Sequence, residues 1–185
     1  MADVRPRLNG QRLKAFEHIT KPERRILCIG DIHEPFCLDG YLEHCIKVYQ
    51  DYNCNHVILI GDVLDNHYAS YHETDPNGLS GEHELQFAID RVARWSKAFP
   101  VADVVIGNHD RLVARRAFSS NIPNPWIQSY NEVLGTDLNW VTRIVYDGVQ
   151  LVHGKGSTAR TRSKNHMPSP VTGHNKTHHN IKQIT

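Results

Sequence analysis

Three short apolar runs, each closed by a glycine and followed at once by polar side chains, constrain the fold of this chain more than any other feature. The runs cover residues 25–30, 56–61 and 102–107, and helical patterns separate them. Strands alternating with helices predict a parallel α/β sheet, and we expect the first run to be a strand buried on both faces. Polar clusters follow the carboxyl ends of the strands, where such sheets place their ligands, so one site is expected there.

Two helices are predicted between the runs. Asp39 is expected to cap the first, and Ser80 is expected to cap the second, which should span residues 80–99 and end before Pro100. Each has an apolar stripe at helical spacing, which predicts a face packed on the sheet. The two stripes are Leu42, Cys45, Ile46 and Tyr49 in the first helix, and Leu85, Ala88, Ile89, Val92 and Trp95 in the second.

A second, partly antiparallel sheet is predicted in the C-terminal half. The Asp147-Gly148 dipeptide favours a two-residue hairpin turn between strands at residues 140–146 and 149–153. Short helices are expected at residues 110–118 and 126–134. Residues 154–170 are rich in Ser, Lys, Arg and Pro, which is typical of a mobile loop.

Bulk composition points to one globular domain. The chain has 185 residues, and we place the domain at residues 25–185 after an N-terminal extension, residues 1–24. The net charge of +1 gives no global reason to bind nucleic acid or an anionic membrane. No apolar stretch approaches the roughly 20 residues of a membrane helix, and the polar N-terminus does not resemble a secretory signal. The four cysteines lack C-x-x-C spacing, so reduced thiols in the cytoplasm are expected and a zinc cluster is the less favoured alternative.

The polar clusters carry side chains that bind divalent metal ions. They are Asp31-Ile32-His33, Gly61-Asp62-Val63-Leu64-Asp65 and Gly107-Asn108-His109-Asp110, followed by His153-Gly154 and Gly173-His174. Carboxylate, imidazole and amide oxygen suit hard and borderline cations. Any one cluster alone could be an ordinary turn or helix cap. Together, in this order, they predict one two-metal site built from the ends of several strands.

This order and spacing resembles the calcineurin-like metallophosphoesterases, and the small phage and bacterial members in particular. Asn66 stands where the protein Ser/Thr phosphatases of that family have Arg. The resemblance implies two sheets packed face to face between helices, the first mostly parallel and the second short. It also implies an enzyme that hydrolyses phosphate mono- or diesters with a hydroxide bridging two metal ions. Mn²⁺ is the first expectation, with Fe, Zn²⁺ or Ni²⁺ as alternatives.

The resemblance also assigns roles to individual residues. Asp62 would bridge the two metals, and His109 would protonate the leaving group as general acid. Asp65 would pair with His109, orient its ring and raise its pKa. The implied metal ligands are Asp31, His33, Asp62, Asn108, His153 and His174.

The last motif departs from the family pattern, because Lys176 stands where a second histidine is usual. An ammonium has no lone pair for a metal ion. The first metal could keep only its three other ligands and water, or a shifted loop could bring in His178 or His179. Lys176 could instead contact the substrate phosphate, and His67, in the loop after Asp62, is a second candidate for substrate contact.

Two other functions are compatible with this sequence. A basic loop close to His153 could hold a nucleic-acid backbone, which would make the protein a nuclease or nucleic-acid phosphodiesterase of the same fold. Alternatively, the chain could be a catalytically weak scaffold that binds a partner protein. The expected partner is therefore a phosphate ester, which could be a nucleotide or nucleic acid, and no membrane binding is expected. A phage-encoded protein would act in the host cytoplasm. The basic loop comprises Lys155, Arg160, Arg162 and Lys164.

Overall fold

The computed structural model describes residues 24–154 and 169–172. Several sequence predictions fall outside these ranges and concern the basic loop and the last motif. They are the predictions for Lys155, Arg160, Arg162, Lys164, His174, Lys176, His178 and His179.

Four parallel strands form the first sheet; the sequence predicted the first three, and the fourth was expected in the second sheet. They are β1 (Ile26–Ile29), β2 (His56–Leu59), β3 (Asp103–Val105) and β4 (Asn139–Val141), in that spatial order. Each connection passes through helix or turn, as parallel pairing requires. The carboxyl ends of all four strands therefore meet at one edge of the sheet.

Four α-helices accompany this sheet in the described part of the chain. They are α1 (Tyr41–Asp51), α2 (Gly81–Ala98), α3 (Leu112–Ser119) and α4 (Tyr130–Leu134), with 3-10 turns at His67–Ala69 and Asn124–Trp126. The predicted stripe of α2 is confirmed, because Ala88, Val92 and Trp95 are buried in the core against the sheet. Ser80 caps α2 as predicted, accepting a hydrogen bond from the main-chain N–H of His83 at 3.3 Å.

The predicted cap of α1 is wrong. Gly40, not Asp39, occupies the N-cap position, with φ of 80° and no side-chain capping bond. This left-handed conformation suits glycine, which has no Cβ to clash with the backbone. The Asp39 carboxylate instead lies 3.5 Å from Nη2 of Arg91 on α2.

A second sheet packs on the other face of the first. It contains β5 (Ile144–Tyr146), β6 (Val149–Val152) and β7 (Ser169–Thr172); β6 is antiparallel to β5 and parallel to β7. The predicted hairpin is confirmed, because Asp147 and Gly148 both have positive φ, at 49° and 77°, between paired Tyr146 and Val149. Residues that the two sheets bury between them are Ile58, Ile60, Val105 and Leu151.

Two strand predictions need correction. Residues 140–146 are not one strand of the second sheet: β4 joins the first sheet and β5 joins the second, because the chain crosses between the two sheets at residues 142–143. Nor is β1 buried on both faces, because Cys28 is exposed. β1 is the edge strand, and the buried contacts with the second sheet come from β2, β3 and the residue after β2.

Candidate metal centre

The loops after β1 and β2 run side by side at the carboxyl edge of the first sheet. The main-chain N–H of Asp31 donates to the carbonyl of Gly61 at 3.3 Å, and that of His33 donates to Asp62 at 2.8 Å. The N–H of Glu34 donates to the carbonyl of Val63 at 2.8 Å. These bonds extend the pairing of β1 with β2 into the polar motifs, so the first two clusters are held together by their backbones.

Left-handed backbone conformations direct the side chains of these loops. Asp31 and His33 have φ of 52°, and Asp62 and Asn66 have φ of 51°. Asp31 and His33 therefore do not share a site by alternating along an extended strand. Non-glycine residues rarely adopt this conformation, and clusters of such residues are typical of functional sites.

Asp62 lies at the centre of the cluster and its side chain is 1% exposed. Its Oδ1 accepts the main-chain N–H of His109 at 2.8 Å, and its Oδ2 is 3.0 Å from Nε2 of His153 and 3.8 Å from Nε2 of His33. Burial opposes ionisation, but the hydrogen bonds from His153 and from the His109 N–H outweigh it and hold the pKa of Asp62 below its usual range. Asp62 is therefore an ionised carboxylate with histidines on two sides.

His153 is buried and its ring orientation is defined by the main chain. Its Nδ1 lies 2.7 Å from the carbonyl oxygen of Ile60, which can only accept, so Nδ1 carries a proton. Nε2 faces two oxygens at 3.0 Å, Oδ2 of Asp62 and Oδ1 of Asn108. Burial lowers the pKa of His153, but the Asp62 carboxylate and the Ile60 carbonyl raise it overall above its usual value. Three potential metal-binding atoms thus converge from three different segments.

Two groups of possible metal ligands occur in the described ranges, and they share Asp62. One consists of Asp31, Asp62 and His153, and the other of His33, Asp62 and His109; within each group the ligand atoms lie within 4.8 Å of one another. Asn108 extends the first group through its amide oxygen. Because Asp62 belongs to both groups, its carboxylate is suited to bridging two ions. The mixture of imidazole and oxygen ligands suits Mn²⁺, Fe, Zn²⁺ or Ni²⁺. The residues present therefore fit two divalent metal ions.

Asp65 contacts both His33 and His109. Its carboxylate is 2.7 Å from Nδ1 of His33 and 3.4 Å from Nδ1 of His109, whereas its carbonyl oxygen is 2.7 Å from Nδ1 of His109. The expected contact of Asp65 with His109 is thus made mainly by the main-chain carbonyl of Asp65, whereas the Asp65 carboxylate hydrogen-bonds to His33. The Asp65 hydrogen bond is the largest factor that raises the pKa of His33. Such a carboxylate–histidine contact typically orients a metal-binding ring.

Asp110 joins the second and third motifs, a role that the sequence analysis missed. It is 2% exposed, and its carboxylate accepts three main-chain N–H groups: those of Asp62 and Leu64 at 2.9 Å and that of Gly107 at 2.7 Å. Burial raises the pKa of Asp110 to about 6, although these N–H groups favour the ionised form. In the sequence, Asp110 is the last residue of the third cluster and the first of a predicted helix, and neither position assigned it this role.

Gly61 and Gly107 allow the motifs to approach closely. A Cβ on Gly107 would lie 2.1 Å from Oδ1 of Asp62, and a Cβ on Gly61 would lie 2.5 Å from Nδ1 of His153. Neither site has room for a side chain. The glycines that end the apolar runs therefore contribute space as well as a turn.

Side chains of helix α2 contact the loops after β1 and β2, which carry the candidate metal ligands. Glu84 accepts the main-chain N–H of His67 at 2.6 Å, and Glu34, next to His33, accepts the indole N–H of Trp95 at 2.8 Å. Arg91 Nε lies 2.9 Å from the other carboxylate oxygen of Glu34. No sequence pattern predicted these supporting contacts. They hold the backbone of His67 but give no side-chain contact that bears on its expected role in substrate binding.

Comparison with known proteins identifies one related family. A family model described as calcineurin-like phosphoesterase matches residues 24–183. No curated protein matches the chain, and no solved structure does. Among the described residues, no helix is both long enough and apolar enough to cross a membrane.

Proposed function

Because this chain belongs to the calcineurin-like phosphoesterase family, and is therefore a hydrolase of phosphoric esters, we propose that it cleaves phosphate mono- or diesters with two metal ions held around Asp62. The observation that best supports two ions is the sharing of Asp62 between two groups of potential ligands. A buried, ionised carboxylate between two sets of histidines is suited to bridging two cations.

The proposed ligand sets follow the family motif. Asp31, His33 and Asp62 would hold the first ion; Asp62 would share the second with Asn108, His153 and His174, the last of which lies outside the described ranges. In the structure, Asp31 is grouped with His153 and His33 with His109. His109 is therefore a candidate both for the ligand set and for the general acid, and the experiment must separate these two roles.

The proposed mechanism assigns proton transfer to His109. Bound divalent ions would lower the pKa of a water molecule and neutralise charge on the phosphate. Nδ1 of His109 is engaged by the Asp65 carbonyl at 2.7 Å, so Nε2 is the atom that would give a proton to the leaving-group oxygen. The ring is about one-third exposed, which leaves it accessible to substrate.

Hydrolysis of bis(p-nitrophenyl) phosphate and p-nitrophenyl phosphate with added Mn²⁺ tests this proposal. We expect His109→Ala to lose at least about 100-fold in kcat, as is typical for removal of a general acid. Elemental analysis should show that it retains as much metal as the unmodified protein. His44→Ala is the matched control, because His44 is an exposed histidine on α1.

The outcomes separate the competing roles. Loss of both metal and turnover in His109→Ala would assign His109 to the ligand set. A folded protein that binds no metal and cleaves neither ester would refute the catalytic proposal and favour the scaffold. The ratio of the two rates reports the preferred class of ester.

A further inference from the structure

A basic cleft adjoins the metal centre on the side of Asn108 and His153. It has a volume of about 390 Å³ and is lined by both of these residues, by Arg111, which directly precedes α3, and by Arg115 of α3. The proposed catalytic chemistry gives neither arginine a role. Any group bound between the two arginines would therefore be a neighbour of the metal centre.

Arg111 and Arg115 present their side chains to the same cleft because of helical spacing. Arg111 precedes α3 in a helical conformation, with φ of −83° and ψ of −6°, and Arg115 follows four residues later. Side chains at this spacing lie on one face of a helix, with Cβ atoms about 5–6 Å apart. Two guanidinium groups at this spacing can hold one phosphate together or two consecutive anionic groups.

Neither arginine forms an ion pair with a carboxylate of the described residues. Arg116, in contrast, donates to the carbonyl oxygen of Ala69 at 3.0 Å and to that of Ser70. Arg116 therefore has a structural role in fixing the loop after the second motif. Among the described residues, Arg111 and Arg115 have no such side-chain hydrogen bond to the main chain, and both line the cleft.

The cleft continues along α3 into a second hollow. This hollow has a volume of about 410 Å³ and is lined by the same two arginines together with Tyr71 and Phe118. The guanidinium carbon of Arg115 lies 5.0 Å from the centroid of the Tyr71 ring. The surface beyond the metal centre is thus long enough for more than a single phosphate, and it combines positive charge with aromatic side chains.

We propose that Arg111 and Arg115 bind a second phosphate group of the substrate, next to the phosphate that is hydrolysed. The preferred substrate is then a phosphodiester with a flanking phosphate, as in a short nucleotide chain. The inference rests on the proposed function, since it assumes that the scissile phosphate lies at the metal centre. The planar guanidinium forks of arginine match phosphate oxygens in pairs, which favours this ligand over a neutral one.

The first experiment compares thymidine dinucleotides with and without an added terminal phosphate, at the 5′ end and at the 3′ end in turn. With Mn²⁺, we expect kcat/KM to be at least tenfold higher for one of the phosphorylated forms. Arg111→Gln and Arg115→Gln should each reduce this preference several-fold, mainly by raising KM for the phosphorylated form. Arg94→Gln is the matched control, because Arg94 lies on α2 and pairs with Glu43 at 3.0 Å.

The second experiment measures binding without turnover. A fluorescently labelled oligothymidylate is titrated against the protein in the His109→Ala background, and the dissociation constant is followed by anisotropy at several salt concentrations. Removal of one phosphate contact lowers the slope of log K against log salt by about 0.7 for a single strand. We expect this change for Arg111→Gln and for Arg115→Gln, but not for Arg94→Gln.

The two experiments distinguish failure of the subsite from failure of the proposed function. Equal kcat/KM with and without the flanking phosphate, in a protein that cleaves bis(p-nitrophenyl) phosphate, would overturn the subsite alone. If the unmodified protein cleaves no ester, the proposed function fails and the salt slopes decide whether the arginines bind phosphate. Slopes for both arginine variants equal to that of Arg94→Gln would overturn the inference.

Discussion

Asp31 combines backbone strain with metal-binding potential. Its φ of 52° is unfavourable for a residue with a side chain, and its carboxylate is partly exposed beside Asp62 and His153. An L-residue in this conformation loses about 1–2 kcal/mol relative to the right-handed form. The structure thus tolerates strain at a position where a carboxylate is suited to binding metal.

Asp31→Gly and Asp31→Ala should separate these two contributions. Both variants lose the carboxylate, so both should bind Mn²⁺ at least about tenfold more weakly in isothermal titration. The glycine variant should be more stable than the alanine variant by about 1 kcal/mol in urea unfolding without metal, because only glycine is unstrained at this φ. Equal stability of the two variants would show that strain at this position is negligible.

Asp110 links the motif after β2 to the motif after β3 through three main-chain N–H groups. Asp110→Asn should lower the free energy of unfolding by about 1.5–3 kcal/mol, since an amide has one acceptor oxygen and its NH₂ group would face a main-chain donor. Urea unfolding measures the change. Asp90→Asn on the exposed face of α2 is the control and should change stability by less than about 0.5 kcal/mol. An unchanged free energy of unfolding in Asp110→Asn would show that these three hydrogen bonds do not stabilise the fold.

At the scale of elements, α2 connects the hydrophobic core to the metal loops. Trp95 packs in the core and donates its indole N–H to Glu34, the residue after His33. Glu34 is also in contact with Arg91 of the same helix. The helix is therefore expected to influence the position of His33 without touching it.

Trp95→Phe should affect both stability and metal binding. The variant keeps an aromatic ring in the core but removes the donor to a buried carboxylate, which should cost about 1–3 kcal/mol of folding free energy. It should also weaken Mn²⁺ binding several-fold, because the loop that carries His33 loses a restraint. Trp126→Phe is the matched control, since Trp126 is 80% exposed. Unaltered Mn²⁺ affinity in Trp95→Phe would confine α2 to a packing role.

At the scale of the whole molecule, a polar cluster joins the two sheets at the end opposite the metal centre. Asp103, the first residue of β3, accepts hydrogen bonds from Asn139 at 2.6 Å and from the hydroxyl of Tyr146 on β5 at 2.7 Å, and contacts His56 Nε2 at 2.8 Å. Burial, followed by the Asp103 contact, raises the pKa of Tyr146 to about 12. The metal centre and this cluster occupy opposite ends of the same strands.

Tyr146→Phe should therefore lower stability and leave the metal centre unaffected. Loss of one hydrogen bond to a charged acceptor should cost about 1.5–3 kcal/mol in urea unfolding. The affinity for Mn²⁺ should stay within about twofold of the unmodified protein, because the two sites share no contact. Tyr52→Phe is the control at an exposed tyrosine. A large change in Mn²⁺ affinity would instead indicate that movement of the second sheet is transmitted to the site.

Metal removal should destabilise the whole molecule. Ions that bind only the folded state stabilise it by mass action, by about 2.7 kcal/mol at one hundred times the dissociation constant. We expect the melting temperature to fall on treatment with EDTA and to recover on addition of Mn²⁺. The Asp62→Asn variant should show a much smaller response, and an equal response would contradict a site at Asp62.

Much of the fold was predictable because its signals are local. Apolar runs ending in glycine predicted β1, β2 and β3, and helical spacing with Ser80 and Pro100 predicted α2. The hairpin at Asp147-Gly148 was also predictable, since both residues favour the positive φ that the turn requires. The exposure of Cys28 in β1 and the division of residues 140–146 between two sheets were not predictable. Both depend on which strands the second sheet covers.

The sequence by itself determined the order of the first three strands and their motifs, and with it the gathering of Asp31, His33, Asp62 and Asn108 at one edge. The physical reason is that parallel strands necessarily bring their carboxyl ends together. Only the tertiary structure decided how that edge is organised. Residues from different segments meet in the hydrogen bonds of Asp110, in the contacts of α2 with the metal loops and in the basic cleft at Arg111. Such contacts arise from packing and carry no periodic signal along the chain.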